Sequence, residues 1–344
     1  MKKLMNTVYV NNPDRYLSLD GENLVISNGE TEVGRVPLHN IERIMTFGYT
    51  GASPALMGKC AEDSIELVFM KKNGHFLARV EGSVSGNVFL RREQYRIADS
   101  PERSLAIAKY MITAKLYNSR WSLERAVRDH APRLDVESFK KKSAFLNEAS
   151  RNALNAADID SLRGIEGEGA SVYFSVFDDM ILQQKEDFYF KTRSKRPPLD
   201  NVNALLSFAY SLEMGMCSSA LEAVGLDPYV GFMHTDRPGR RSLALDLVEE
   251  FRAPICDRFV LSLINKRIIT NDDFFKREDG AVMLTEDGRK SFLSAWQKKK
   301  YDEITHPFLG EKVEWGMLPY VQAMLLARYI RGDLDSYPPF MWKS

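Results

Sequence analysis

The chain has 344 residues, more than one hydrophobic core usually organises, so two domains are expected. Its 44% apolar and 27% charged residues suit packed cores rather than a disordered tail, and no stretch approaches the roughly 20 apolar residues of a membrane span. Net charge is zero, 47 basic against 47 acidic residues, which neither supports nor excludes nucleic-acid binding, because a local basic face is enough for it.

Two lysines near the N-terminus are followed by no apolar signal core and no small-residue cleavage site, so a soluble, cytoplasmic protein is expected. The first 95 or so residues read as β structure: Thr7–Val10, Tyr16–Leu19, Asn23–Ser27, Glu32–Val36, Arg43–Phe47, Ile65–Met70 and Phe76–Val80 are rich in β-branched and aromatic residues. Asp20-Gly21, Asn28-Gly29 and Asn73-Gly74 supply turn residues that tolerate positive φ. One helix interrupts, with Ser53 as cap, Pro54 at its first position and Ala55–Ala61 following.

The pattern changes at Asp99-Ser100-Pro101-Glu102. Ser100 can cap, and Leu105, Ala108, Met111, Ile112 and Lys115 begin a 3.6-residue period. From there to about Leu334 the chain reads as helical, broken at Gly164–Gly169, Arg196–Leu199, Gly225–Pro228 and Thr235–Gly239. The expected fold is α+β: a small, sandwich-like N-terminal β domain (residues 1–97) followed by a larger all-α domain (residues 98–344). The tract Lys191–Pro198 holds four basic residues and two prolines; charge alone favours a solvated loop over a phosphate-contacting one.

Cys60, Cys217 and Cys256 are widely spaced among apolar neighbours and read as buried or semi-buried free thiols in a reducing compartment. His39, His75, His130 and His306 sit in ordinary settings. His234 ends the apolar run Tyr229–Met233, just before the turn Thr235–Gly239, where it can present an imidazole in a cleft; an ordinary structural role is equally compatible. Next comes a helix beginning near Ser242, read as its cap, on which Asp246 and Glu249 share a face lined with leucine and alanine. Glu250 also fits that spacing, and acids turned toward solvent are the commoner outcome. Glu166 lies among Gly164, Gly167 and Gly169 where an apolar helix begins, and glycine there allows close approach of a ligand or another helix. Together, two or three carboxylates and one imidazole form a hard oxygen and nitrogen donor set suited to Mg²⁺ or Mn²⁺ and poorly suited to structural zinc. Such an ion can polarise a phosphodiester or activate a hydroxyl.

Four groups of residues, in order and with matching spacing, resemble the CRISPR-associated integrase family, the universal protein of the adaptation module. They are Gly164–Gly167; Arg196–Pro198 with Asn203–Phe208 and Tyr210; Gly231–His234; and Leu245–Arg252. Upstream, Tyr16–Asn23 and Ile41–Ile44 with Phe47-Gly48 resemble its N-terminal domain, closest to the subtype I-C branch, and the resemblance spans residues 1 to about 335. It implies a homodimeric, metal-dependent DNA endonuclease and integrase. Two dimers would flank a dimer of a small partner protein and join the 3′-hydroxyl ends of short foreign duplexes to the CRISPR repeat by transesterification. It places the metal ligands on Glu166, His234 and Glu249, and a neighbouring essential acid on Asp246. It also gives a phosphate-neutralising role to Arg163, Arg193, Lys195, Arg196, Arg237, Arg240 and Arg241. A metal-dependent nuclease that cleaves without joining would use the same residues. A DNA-binding scaffold without chemistry would have no need of the four site residues.

Overall fold

A computed structural model describes residues 7–41, 43–63, 65–71, 76–80, 82 and 88–343. Strands β1 (Thr7–Val10), β2 (Tyr16–Asp20), β3 (Asn23–Asn28), β4 (Thr31–Pro37) and β5 (Arg43–Phe47) come first, then helix α1 (Pro54–Glu62), β6 (Glu66–Met70) and β7 (Phe76–Arg79). Each falls on a run expected to be extended or helical. The two hairpin turns place Gly21 and Gly29 at φ 58° and 59°, a region in which a side chain is strained. Ser53 caps α1, its hydroxyl accepting from the Leu56 N–H at 3.2 Å. The expected turn at Asn73-Gly74 and His75 lie outside the described residues.

β2, β3 and β4 form an antiparallel sheet; β1, β5 and β6 run parallel in a second sheet that β7 closes antiparallel. Alternation along β5 and β6 gives this second sheet two buried faces. Ile44, Leu67 and Phe69 pack with Leu17, Leu24 and Leu56 in an N-terminal core. Met45, Phe47, Val68 and Met70 belong to the helical core. Burial on both sides explains why these strands are nearly continuous hydrophobic runs.

The helical part contains α2 (Val88–Ala98), α3 (Pro101–His130), α4 (Val136–Leu154), α5 (Ile159–Phe174), α6 (Asn201–Ala223), α7 (Ser242–Val248) and α8 (Arg258–Asn265). A hairpin of β8 (Phe274–Lys276) and β9 (Val282–Leu284), helix α9 (Glu286–Lys300), a hairpin of β10 (Glu303–Thr305) and β11 (Lys312–Glu314), and α10 (Leu318–Ile330) complete it. The two hairpins modify the expectation of an all-α second part; strands of three residues are too short to show alternation. The segment from α5 to α6 holds only one short helical turn, Asp178–Met180, where continuous helix was expected. Helix α2 lies before the expected boundary yet buries Leu90 and Ile97 in the helical core, and its Gln94 amide donates to the Asp227 and Val230 carbonyls at 2.8 Å each. All three cysteines are buried free thiols.

Two local readings are corrected. The glycine cluster does not break the helix: α5 runs through Gly164, Gly167 and Gly169. A β-carbon on Gly169 would collide with Leu116 of α3, so this glycine serves helix contact rather than chain flexibility. Ser242 does not cap α7 either. The cap position is Arg241, and the Ser242 hydroxyl instead donates to the Thr235 carbonyl at 3.2 Å, tying the preceding loop to the helix. Beyond α7 the backbone makes a turn and then a π-helical stretch, Arg252–Asp257. Pro254 has no N–H to offer the Glu250 carbonyl; the Asn118 amide of α3 donates to it instead, at 2.8 Å.

Candidate active site

The site forms where α3, α5, α7 and the loop before α7 meet. Leu116 against Gly169 sets the close approach of α3 and α5. Glu166, three residues from Gly169 and so on the same face of α5, then meets Lys115, the neighbour of Leu116. The Lys115 ammonium is ion-paired with Glu166 and, at 2.7 Å, with Glu249. Two carboxylates from separate elements thus share one cation. Arg252, one turn beyond Glu249, binds its other oxygen at 2.9 Å.

Glu249 is 5% exposed. Burial pushes its carboxyl up, but Arg252 and Lys115 outweigh it and hold the group at about 2, with a smaller downward pull from nearby His234. Glu250, the adjacent candidate, points away. Its carboxylate accepts from the Tyr337 hydroxyl at 2.6 Å, the Phe340 N–H at 2.7 Å and the Gln322 amide at 2.9 Å. Burial, only partly offset by these bonds, pushes it up to about 7.

Asp246 is 1% exposed and acts as a bracket for the histidine loop. One oxygen accepts from the Phe232 and Met233 N–H groups at 2.6 and 3.0 Å. The other accepts from the His234 N–H at 3.0 Å and pairs with His234 Nδ1 at 2.6 Å. An acceptor-only carboxylate calls for a proton on Nδ1, which in the neutral ring leaves the Nε2 lone pair as the ligating atom. Gly231 makes this arrangement accessible, since a β-carbon there would stand 2.9 Å from the Asp246 carboxylate and 2.7 Å from Ser242.

The structure therefore brings Glu166 and Glu249 together on one cation, and His234 and Asp246 together by a hydrogen bond. Among the described residues, no three His, Cys, Asp or Glu side chains are gathered as a metal-binding cluster. The donor chemistry nonetheless fits a hard divalent ion: the two carboxylates already converge on a positive charge, and His234 has its orienting partner in place.

The basic residues divide. Arg163 is committed to the histidine loop, donating to the Met233 carbonyl at 2.8 Å and the Thr235 hydroxyl at 3.1 Å. Arg193 is largely withdrawn from solvent, bonded to Asn203 and Ser207 at 2.7 and 3.0 Å and packed over the Tyr210 ring. Lys195, Arg196 and Arg237 are exposed; Arg240 and Arg241 are half-buried, Arg241 over Tyr229. Lys195 still reaches solvent, but partial desolvation, and then the positive charges of Arg252 and Arg193, pull it below the usual lysine range. Lys115, Arg252 and Tyr210 also belong to the site, though residue type alone gives them no role in it. Lys115 was legible as a lysine on the apolar period of α3. Tyr210 lies between the Arg193 and Arg252 guanidiniums, 5.3 and 4.9 Å from its ring centre.

The profile of the CRISPR associated protein Cas1 family matches residues 8–298. The chain belongs to the Cas1 family. It is 51% identical over 347 residues to a CRISPR-associated endonuclease Cas1 of Rhodospirillum rubrum, and 48% identical over 343 residues to one of Chlorobaculum tepidum. Each pair covers 100% of both chains. Among solved structures, a casposase bound to integration product matches with a TM-score of 0.82 at 23% identity, covering 98% of this chain and 93% of that one. At that identity the likeness concerns the Cas1 fold, an N-terminal β-strand domain followed by a helical part. No helix among the described residues is long and apolar enough to cross a membrane.

Proposed function

We propose that this Cas1 protein is the metal-dependent endonuclease and integrase of CRISPR spacer acquisition, joining 3′-hydroxyl ends of short foreign duplexes to the CRISPR repeat by transesterification. The observation that carries the mechanism is the convergence of Glu166 and Glu249 on one cation position beside a histidine held by Asp246. Glu166, Glu249 and Nε2 of His234 would hold Mg²⁺ or Mn²⁺. When bound, that ion supplies Lewis-acid polarisation of a phosphodiester. Asp246 is a positioning residue: it fixes the ring of His234 and the loop backbone. Arg252 keeps Glu249 ionised, and Lys195, Arg196, Arg237, Arg240 and Arg241 neutralise DNA phosphates around the carboxylates. Arg163 and Arg193 contribute by fixing the loops that carry these groups.

The wider reading includes double-stranded DNA as prespacer and repeat, a homodimer, and a small partner protein in a heterohexamer of two dimers around a partner dimer. It also includes subtype I-C affinity, a cytoplasmic location, and a division near residue 97 between β and helical domains; a separate N-terminal core supports two domains, while α2 packs with the helical side. The test incubates the protein and its small partner with a 3′-hydroxyl duplex and a repeat-containing plasmid in Mn²⁺ or Mg²⁺. Strand-joined branched DNA is expected, and it should vanish in Glu166→Ala and His234→Ala variants. Cleavage without joining would leave only a nuclease; joined product persisting in either variant would defeat the site assignment.

A further inference from the structure

Lys115 is an unusual residue for its position. It sits on the apolar period of α3, its side chain is 12% exposed, and its ammonium lies between the two carboxylates assigned to the metal. A largely buried cation in such a place needs anions around it, and a buried carboxylate such as Glu249, with half-buried Glu166 beside it, needs a cation. With Arg252 on the far oxygen of Glu249, two carboxylates face two cations, so this group of four is balanced without any ion from solution. We propose that Lys115 is a resident cation of the site: it holds Glu166 and Glu249 together in the metal-free protein, and must withdraw from them when a divalent ion takes its place.

The inference rests on the metal-site reading above and adds a competition to it. An ammonium and a divalent ion cannot both occupy the shared position, because like charges at contact distance repel strongly where water is scarce. Metal affinity is therefore set partly by the strength of the Lys115 contacts, and the metal-free site is preassembled rather than splayed by carboxylate repulsion. Once displaced, Lys115 remains tethered beside the carboxylates and adds a positive charge to the ion's own. The metal-loaded carboxylate group then carries excess positive charge and suits the scissile phosphodiester, whereas in the metal-free protein that group is balanced and DNA is held by the cations around it.

Two measurements test this without using turnover. Mn²⁺ binding is followed by calorimetry on the wild-type protein and on Lys115→Met, Glu166→Gln and Glu249→Gln variants. Lys115→Met should bind Mn²⁺ at least several-fold more tightly while its metal-free form melts at lower temperature; the Gln variants should bind weakly or not at all. Wild-type binding that is indifferent to both Gln substitutions would sink the metal-site reading and the resident cation with it. Binding that depends on both glutamates but is unchanged or weakened in Lys115→Met would overturn the resident cation alone. If Lys115→Met does not fold, the wild-type protein still decides. Lys115 in the intact protein should resist an amine-reactive label read by mass spectrometry, and become reactive as Mn²⁺ saturates the site. Equal labelling with and without Mn²⁺ would refute the exchange.

Discussion

Asp246 shows how one side chain can organise a whole loop through acceptor atoms alone. Its carboxylate takes three backbone N–H groups and the His234 ring, using only acceptor atoms. Asparagine would turn an amine toward at least one of those donors, leaving a buried polar clash. Asp246→Asn should therefore lose on the order of 2 kcal/mol in chemical denaturation, and joined DNA product should fall by about two orders of magnitude. Imidazole ¹⁵N shifts of His234 should report the lost Nδ1–H tautomer. Wild-type shifts with lost activity would mean that Asp246 acts otherwise than by orienting the ring. Glu213 makes a different kind of residue-scale prediction. An ordinary glutamate ionises near 4.5, but burial, opposed by Lys300 and Arg43, pushes Glu213 up to about 8. The folded protein thus keeps a proton that the unfolded chain releases. Its stabilising contribution is complete below pH 4.5 and is lost as pH rises through 8. Glu213→Gln should flatten the fall in melting temperature between pH 5 and 8, by on the order of 4 kcal/mol in stability. Glu250, pushed to about 7, leaves a residual slope of the same sign.

Helix α5 carries its glycines for two different reasons, and substitution separates them. A β-carbon on Gly169 would strike Leu116, whereas one on Gly167 meets nothing within 4 Å. Gly169→Ala should push α5 off α3, destabilising by about 1–3 kcal/mol and loosening the Lys115–Glu166 pair. Gly167→Ala should stabilise by up to about 1 kcal/mol through helix propensity alone; denaturant midpoints of the two variants should move in opposite directions. This helix also marks a limit of what the sequence discloses. Three glycines in six residues carry a local breaking signal, and the tertiary contact that overrides it lies on a distant segment. Ser242 fails for the same kind of reason: a good capping residue is drawn instead to the Thr235 carbonyl. By contrast, β1 to β7, α1 and the start of α3 were legible because turn glycines, Ser-Pro pairs and alternation act within a few residues. Of the site, residue types and family spacing indicated the acids and the histidine. The separation of Glu249 from Glu250 follows from the turn and the π-helical stretch that come after α7, and the lysine between the carboxylates only from how α3 and α5 pack.

At the scale of the whole molecule, zero net charge does not mean that charge is evenly spread. Lys115 and Arg252 balance Glu166 and Glu249, and Arg193 and Lys195 stand beside that group; like-charge crowding depresses Lys195 once desolvation has acted. Of the other acids, Asp257 lies beside Arg193 and Arg252, whereas many stand in surface pairs such as Glu137 with Lys141 on α4, where they offset only the total. DNA binding should therefore weaken steeply with salt even though the protein is neutral. Each phosphate contact lowers log K by about 0.9 per decade of salt on duplex DNA. Measured without metal, by anisotropy of a labelled duplex between 50 and 200 mM salt (on the order of the range over which such contacts are resolved), Lys195→Ala and Arg196→Ala should each reduce that slope by about one. Lys141→Ala, which removes a cation already paired on its own helix, should leave the slope unchanged. Equal slopes for all three variants would mean that the local field is not what draws DNA to the site, and that binding is spread over the surface at large.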